Sequence, residues 1–445
     1  MSKRRLLIQG GRLIDPTQNL DEQKDLLVNG TTIEAVGDPG IFDAIDLPDA
    51  QRIDATGTVV TPGFVDLHCH LREPGFEDKE TIETGTLAAA AGGFTTVCAM
   101  PNTEPAVDTV AGVQFLLQKA RQEGKVRVLP IAAVTRGRKG VELTDMSELA
   151  DAGVVGFSDD GDPVSDGYVM RYALAYSSLV GCPIINHSED RTIAPGGVMN
   201  YGFASERLGL AGIPAAAEEA MVSRDIALAE LTGGALHLAH LSTERSVDLV
   251  KNAKERGIRV TAEATPHHLV LTDRWVTGSA AGLGASLVSS GYDTNTKVSP
   301  PLRSDTDVRA LQRGLEEGIV DVVATDHAPH TAMDKLCSYD EAAFGISGLE
   351  TALCLLLHLF DQGVLSLETI VRSLTEAPAR VIGRSDIGSL RKGRQADITI
   401  FDPKMVWKVD SRTFLSKGKN TPLNGVDVKG RVVKTIFAGS TVFSL

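Results

Sequence analysis

Cysteine is scarce in this sequence and unpaired. The five residues at 69, 98, 182, 337 and 354 are scattered, odd in number and in no CxxC pair. Neither a disulfide framework nor a thiolate zinc site is indicated, and each is expected to be a small buried hydrophobe in a reducing compartment. Aromatic residues are few, and no long Lys/Arg run or aromatic-interleaved basic stripe occurs. A formal net charge of -14 leaves no global field to attract phosphates, so nucleic acid is excluded as a partner. Long apolar runs are missing as well. The run at 352–360 is about half of what a membrane-spanning helix needs and reads as a buried core helix, so no membrane association is expected. The start, MSKRRLLIQGGRLID, is basic, but its Gly-Gly interrupts the apolar stretch before a signal-peptide core can form. A cytoplasmic protein is expected.

What is present is the profile of an ordinary globular protein, with 42% apolar and 23% charged residues. At 445 residues the chain exceeds the size at which one core stops growing, so a large domain and a smaller one are expected. Both ends read as short strands broken by turns. At the start these lie near 5–9, 25–30 and 58–60, with Asn29-Gly30 as a hairpin signal; at the end they lie at 396–401 and 430–439. One small β domain built from both termini accounts for that symmetry.

The middle alternates. Apolar runs ending in polar residues occur at 64–70, 95–102, 128–135, 154–160, 183–187, 235–240, 259–265 and 320–326. Segments with helical three- and four-residue spacing, such as 108–123 and 242–256, lie between most of them. Eight strand-helix repeats argue for an α/β chain with a (β/α)8 barrel enlarged by insertions. A doubly wound open sheet is disfavoured, because no Gly-rich fingerprint follows the first strand and polar residues gather at many strand ends. In a barrel those ends share one mouth, which brings His68, His70, Asn102, Asp159, Asp160, His187, His240 and Asp326 to a common cavity.

Side chains alternate along a strand, so His68 and His70 point one way and Cys69 the other. The pair makes a two-imidazole claw, and with His187, His240 and the aspartates there are donors for two ions of the Zn2+ type. Two metals need a bridging anion besides hydroxide. No lysine that could be carbamylated lies within 154–168, but Asp159 and Asp160 offer carboxylates. Adjacent aspartates face opposite ways, so one is expected to bridge and the other to cap or support it.

The stretches DLHCHLREPG (66–75), MPNT (100–103), TDHAPH (325–330) and GSLRKGRQADITIFDP (388–403) together resemble the class I bacterial dihydroorotases of the amidohydrolase superfamily. The likeness runs from about residue 5 to 440. It implies a distorted (β/α)8 barrel at 62–387 and a β-sandwich made of 1–61 and 388–445. It further implies two Zn2+ per subunit, bridged by Asp160 and a hydroxide. His68, His70 and Asp326 would hold one metal, and His187 and His240 the other, with Asp326 also the catalytic base. His70, Arg72, Asn102, Ser299, His330, Phe344 and Gly345 would contact substrate. In that set Arg72, aided by Asn102 and His330, takes the substrate's carboxylate, and an arginine fork suits one bidentately. By strand parity Arg72 falls on the side of His70 if the strand continues; the bland alternative is a salt bridge to Glu73 or Glu77.

The reaction implied is the reversible, water-releasing cyclisation of N-carbamoyl-L-aspartate to L-dihydroorotate, a step of pyrimidine synthesis. The resemblance leaves open a homodimer and an association with aspartate transcarbamoylase. Its rivals are a hydantoinase or allantoinase, both expected to need the missing lysine, and a silent homologue that scaffolds the transcarbamoylase. Two departures stand out. Ser299 replaces the asparagine that the family commonly has before Pro-Pro-Leu-Arg, and 278–296 is long and rich in Gly, Ser and Ala. His237 is expected to pack on the opposite strand face, His267 and His268 to bind no metal, and His358 to be core.

Overall fold

The computed structural model describes residues 5–43, 50–279, 283 and 291–445. Most of the long Gly/Ser/Ala segment singled out above, 280–282 and 284–290, lies outside the described residues.

Eight parallel strands form the middle: Phe64–Cys69, Phe94–Ala99, Arg127–Ala132, Gly156–Phe157, Ile184–Asn186, Leu236–Leu238, Val260–Ala264 and Val322–Val323. They are neighbours in chain order, and each falls within or beside a run read from the sequence. The ring closes where Cys69 bridges His327, where His70 N–H donates to the His327 carbonyl at 2.9 Å, and where Thr325 N–H donates to Asp66 at 2.9 Å. Helices between the strands begin at side-chain caps that satisfy their first N–H groups, such as Thr109 for Val110–Glu123, Thr243 for Glu244–Glu255 and Ser304 for Asp305–Glu316.

The interior is packed, not open. Val65, Leu67, Leu129, Ile131, Ile185 and Val322 meet at the floor with Ala377 and Ala379 of the short helix Glu376–Val381. Above that floor the first strand changes register between Asp66 and Cys69. Val65 and Leu67 join the floor cluster, whereas Cys69 and Leu71 pack in the strand-helix layer and His68 and His70 turn into the mouth, opposite Cys69 as alternation at 68–70 requires.

The termini form a second eight-stranded sheet. Its path runs Ser440–Ser444, Asp427–Phe437, Ile398–Lys408, Val59–Pro62, Arg5–Asp15, Leu20–Asn29 and Thr32–Gly37, with Gln51–Asp54 paired to Arg5–Asp15. Pairing of Asn29 with Thr32 puts Gly30 and Thr31 in the hairpin turn, one residue beyond the Asn-Gly signal. Leu6, Ile8, Leu26, Val28, Ile398 and Ile436 make its core, and Phe401 and Val432 pack into the barrel's outer layer. There Phe64 meets Phe94 edge-on at 5.7 Å. A Cβ on Gly93, which has φ +89, would lie 2.9 Å from the Phe64 ring, so only glycine fits this junction.

The expectation that every cysteine is buried holds for Cys69, Cys98 and Cys354; Cys182 is half-buried and Cys337 exposed, both outside the barrel interior. Helix Ala352–Asp361 is buried along almost its whole length, but His358 is half-buried and bonds Gln362, so it is not core. No helix among the described residues is long and apolar enough to cross a membrane.

Candidate active site

The C-terminal strand ends converge as a barrel requires. Around Asp160 the donor atoms stand at short, similar separations: His68 Nε2 to Asp160 Oδ1 3.2 Å and to Asp326 Oδ1 3.5 Å, His70 Nε2 to Asp326 Oδ1 3.0 Å and to Asp160 Oδ2 3.5 Å. On the other side His187 Nδ1 and His240 Nε2 are 3.0 Å apart, and they stand 3.9 and 3.7 Å from Asp160 Oδ1. The edge of a tetrahedron of donors around Zn2+ is about 3.3 Å long. Two triads, His68–His70–Asp326 and His68–Asp160–His240, each hold their donor atoms within 4.8 Å of one another, all buried.

Charge balance points the same way. Asp160, Asp326 and Glu263 are buried, and among the described residues none of them pairs with a lysine or arginine; their only ion-pair partners there are histidines. Burial pushes the Asp160 and Asp326 carboxyls up, but His68 and its neighbouring imidazoles outweigh it and hold both below the usual range. Burial likewise opposes a charge on His68, and Asp160 and Asp326 outweigh it and drive its pKa well above normal. The cluster thus demands positive charge. Among the described residues His68 Nε2 and His240 Nδ1 are buried with no hydrogen-bond partner, and the bare His68 nitrogen stands 3.2 Å from Asp160, the kind of imidazole-carboxylate donor pair a divalent cation takes. The residues fit a metal.

Groups behind the cluster fix the rings. Glu263 Oε1 takes His68 Nδ1 at 2.8 Å and the His240 N–H at 3.2 Å, while Oε2 meets His237 Nε2 at 3.0 Å. Burial would raise the Glu263 carboxyl, yet His237 and His68 bring it down to about 2. His237 therefore belongs to the polar network beneath the mouth and does not pack on an opposite face. Asn102 Oδ1 meets His70 Nδ1 at 2.9 Å, leaving Nε2 of that ring toward Asp326, and Nδ2 donates to Asp160 at 3.3 Å. Glu189 Oε2 meets His187 Nε2 at 3.2 Å and accepts from Ser299 Oγ at 3.1 Å. Such partners orient a ligating imidazole and fix its tautomer.

The two aspartates divide as alternation requires: Asp159 accepts from Thr135 N–H at 3.0 Å, and Asp160 faces the histidines. Asp160 sits beyond its two-residue strand, in a loop that arginines hold. Arg138 donates to the Asp160 carbonyl at 2.6 Å and pairs with Asp162 at 2.7 Å; Arg191 pairs with Asp162 at 2.6 Å and donates to the Gly161 carbonyl.

One open cavity of about 360 Å3 is lined by every residue expected at the site except His68 and Asp159, both buried, the latter turned to Thr135. Arg72 reaches it by a route that corrects the parity argument. The strand stops at Cys69, and Arg72 sits in the left-handed region at φ 61, its Nε donating to the Pro329 carbonyl at 3.3 Å. It makes no ion pair among the described residues: Glu73 pairs with Lys119 instead, and Glu77 accepts from Gly75 N–H. His240 and Asp326 are also left-handed, at φ 31 and 46; such backbone costs about 1–3 kcal/mol at each site and persists where the surroundings hold it.

His330 Nε2 donates to the Phe344 carbonyl at 2.8 Å, and burial with Arg72 nearby pushes its pKa down to about 3, so the ring is neutral. The Gly345 N–H and carbonyl are engaged by Lys297 and Asn420. His268 is tied to Thr265 and to the Pro300 carbonyl, away from the donor cluster. Sequence reasoning missed Glu263, Glu189, Arg138 and Arg191. For Glu263 a signal existed, a single carboxylate inside the otherwise uncharged Val260–Ala264 strand; for the others only the folded loops reveal the contact.

Residues 57–246 match the family model described as dihydro-orotase-like, and 293–443 match that of the amidohydrolase family. The dihydroorotase of Desulforapulum autotrophicum is 46% identical over 435 residues, covering 98% of both chains. That of Caldanaerobacter subterraneus is 48% identical over 436 residues, covering 98% of this chain and 96% of that protein. Among solved structures, L-hydantoinase (dihydropyrimidinase) from Arthrobacter aurescens superposes with a TM-score of 0.85 at 26% identity, covering 100% of this chain and 96% of that one. The dihydropyrimidinase of Brevibacillus agri gives 0.82 at 23%, over 99% and 95%.

Proposed function

The chain belongs to the dihydroorotase family of the amidohydrolases, and from that premise we propose that it interconverts N-carbamoyl-L-aspartate and (S)-dihydroorotate plus water in pyrimidine biosynthesis. The observation that carries this reading is Arg72, a guanidinium without an ion-pair partner among the described residues, in the cavity that holds the donor cluster. A hydantoin has no carboxylate for it to receive; dihydroorotate has one.

In this reading His68, His70 and Asp326 would hold one Zn2+ and His187 and His240 a second, with the Asp160 carboxylate available to both sets. Bound zinc would supply Lewis acidity, making hydroxide available near neutral pH and polarising an amide carbonyl. Asp326 carries the proton: in hydrolysis it takes it from the attacking water and delivers it to the ring nitrogen as the amide C–N bond breaks, and in cyclisation it runs the transfer backwards. Arg72 grips the substrate carboxylate in a fork, with the spare N–H of Asn102 Nδ2 beside it. His330, already donating to Phe344, keeps the 344–345 backbone in place, and the Phe344 N–H is then its donor toward the substrate ring. Ser299 acts through Glu189 on His187.

Residues 1–61 with 388–445 form the smaller domain and 62–387 the catalytic one. A cytoplasmic location, a homodimer and association with aspartate transcarbamoylase belong to the same reading and rest on the family. Light scattering of the protein alone and mixed with the transcarbamoylase tests the assembly. The activity is tested by assaying dihydroorotate, carbamoyl aspartate, hydantoin and allantoin alongside metal analysis. Dihydroorotate is expected to turn over with two zinc per chain; turnover of hydantoin without dihydroorotate would sink the assignment.

A further inference from the structure

A second cavity, of about 350 Å3, opens beside the helix Glu376–Val381 and shares no lining residue with the active site. Four arginines line it, Arg380, Arg384, Arg391 and Arg394, against one carboxylate, Glu376. Two of the four are neutralised: Arg380 pairs with Glu376 at 2.7 Å, and Arg384 holds Asp386 through two bonds of 2.7 Å. The other two are not. Among the described residues Arg391 donates only to the neutral Thr17 carbonyl, and the Arg394 side chain makes no hydrogen bond or ion pair. Asp15, buried behind Ser389, has its oxygens taken by Thr17, Gln18, Ser389 and Leu390 and makes no ion pair with either arginine among the described residues.

Two uncompensated guanidinium charges thus share a concave wall in a chain whose net charge is -14. Like charges held together repel unless an anion joins them, and a low-dielectric concavity focuses their field outward. The guanidinium fork matches the oxygens of a phosphate bidentately, and a phosphate monoester carries about −1.5 to −2 charges near pH 7, the complement of the two free arginines. The volume is that of a small-molecule site. We infer that this cavity is a binding site for a small phosphate monoester, separate from the catalytic centre, with Arg391 and Arg394 as its grip.

The test uses the full-length protein with ribose 5-phosphate as probe, followed by calorimetry and by phosphorus NMR line broadening, with ribose as the uncharged control. Wild type is expected to bind ribose 5-phosphate saturably at one site and ribose not at all. The double variant Arg391→Gln/Arg394→Gln is expected to weaken binding about tenfold or more, the loss of charge-assisted bonds, while its turnover of dihydroorotate stays at the wild-type level and reports the fold intact. Arg72→Ala separates the two cavities and is expected to leave ribose 5-phosphate binding unchanged. No saturable binding to wild type, binding insensitive to the double variant, or binding lost in Arg72→Ala would each overturn the inference. Capture of polyglutamate through Arg391 and Arg394 with no binding of ribose 5-phosphate would overturn it too, by assigning the patch to an acidic protein segment.

Discussion

The barrel strands end in opposite chemistries. At the floor Val65, Leu67, Leu129, Ile131, Ile185 and Val322 close on Ala377 and Ala379. At the mouth the same strands or the turns after them present His68, His70, Asp160, His187, His240 and Asp326, with bare nitrogens, buried carboxylates and left-handed backbone. In the first strand the change takes place across one register shift, between Asp66 and Cys69. The mouth is costly in each of these respects, and apolar burial at the floor and in the strand-helix layer offsets it. Stability and chemistry are therefore separable along a strand, and substitutions a few residues apart should fail in different ways.

The sharpest break is Asp326→Ala. Turnover of dihydroorotate is expected to fall by about 10^3-fold or more, the scale of a lost proton carrier, with circular dichroism of a folded chain. A variant that keeps a large share of the activity would remove Asp326 from the chemistry. Ile131→Ala, at the floor, should do the reverse. It is expected to cost about 2–5 kcal/mol in denaturant unfolding and to leave turnover per folded molecule unchanged. Loss of activity with full stability would show that the two ends are coupled. Arg72→Ala comes next: KM for dihydroorotate should rise about 10–100-fold, the worth of a charged hydrogen-bonded contact, with little change in kcat. Normal binding would end the carboxylate role.

The floor and the mouth were not equally legible in the sequence. The eight apolar runs, their order and the polar residues at their ends could be read directly, because a barrel strand buried on both faces is a nearly continuous hydrophobic run. His68, His70, His187 and His240 were legible because imidazoles at successive strand ends have few other uses. What could not be read lies in loops. Arg72 enters by a left-handed turn instead of by strand parity, and Ser299 spends its hydroxyl on Glu189. Arg138 and Arg191 hold the Asp160 loop through contacts that span more than twenty residues of sequence. No periodicity encodes such contacts, since each depends on where two loops finish after the barrel has closed. Glu263 is the intermediate case, legible as an anomaly in its strand but not as the carboxylate that holds two histidines. Glu263→Gln keeps its shape and removes its charge, so metal retention in a chelator titration should weaken about 10–100-fold. Unchanged retention would reduce Glu263 to a packing residue.

Glu350 extends the comparison to a carboxylate outside both ends, in the wall between barrel and terminal sheet. At the mouth histidines hold the acids low. Among the described residues Glu350 has only the backbone N–H groups of Leu415 and Ser416 as hydrogen-bond donors, and burial lifts its pKa from 4.5 to about 7 despite them. The folded chain therefore keeps a proton there that the unfolded chain has already released between pH 4.5 and about 7. Stability contributed by this group falls as pH rises through that window and is level above it. Glu350→Gln is neutral throughout and its amide oxygen can still accept from Leu415 and Ser416. The variant should gain on wild type across that window by a total on the order of 2 kcal/mol. Denaturant titrations of both proteins at each end of the window measure the difference. If the two stability curves run parallel, Glu350 is ionised in the folded chain, and burial without a direct ion pair does not by itself separate this wall from the mouth.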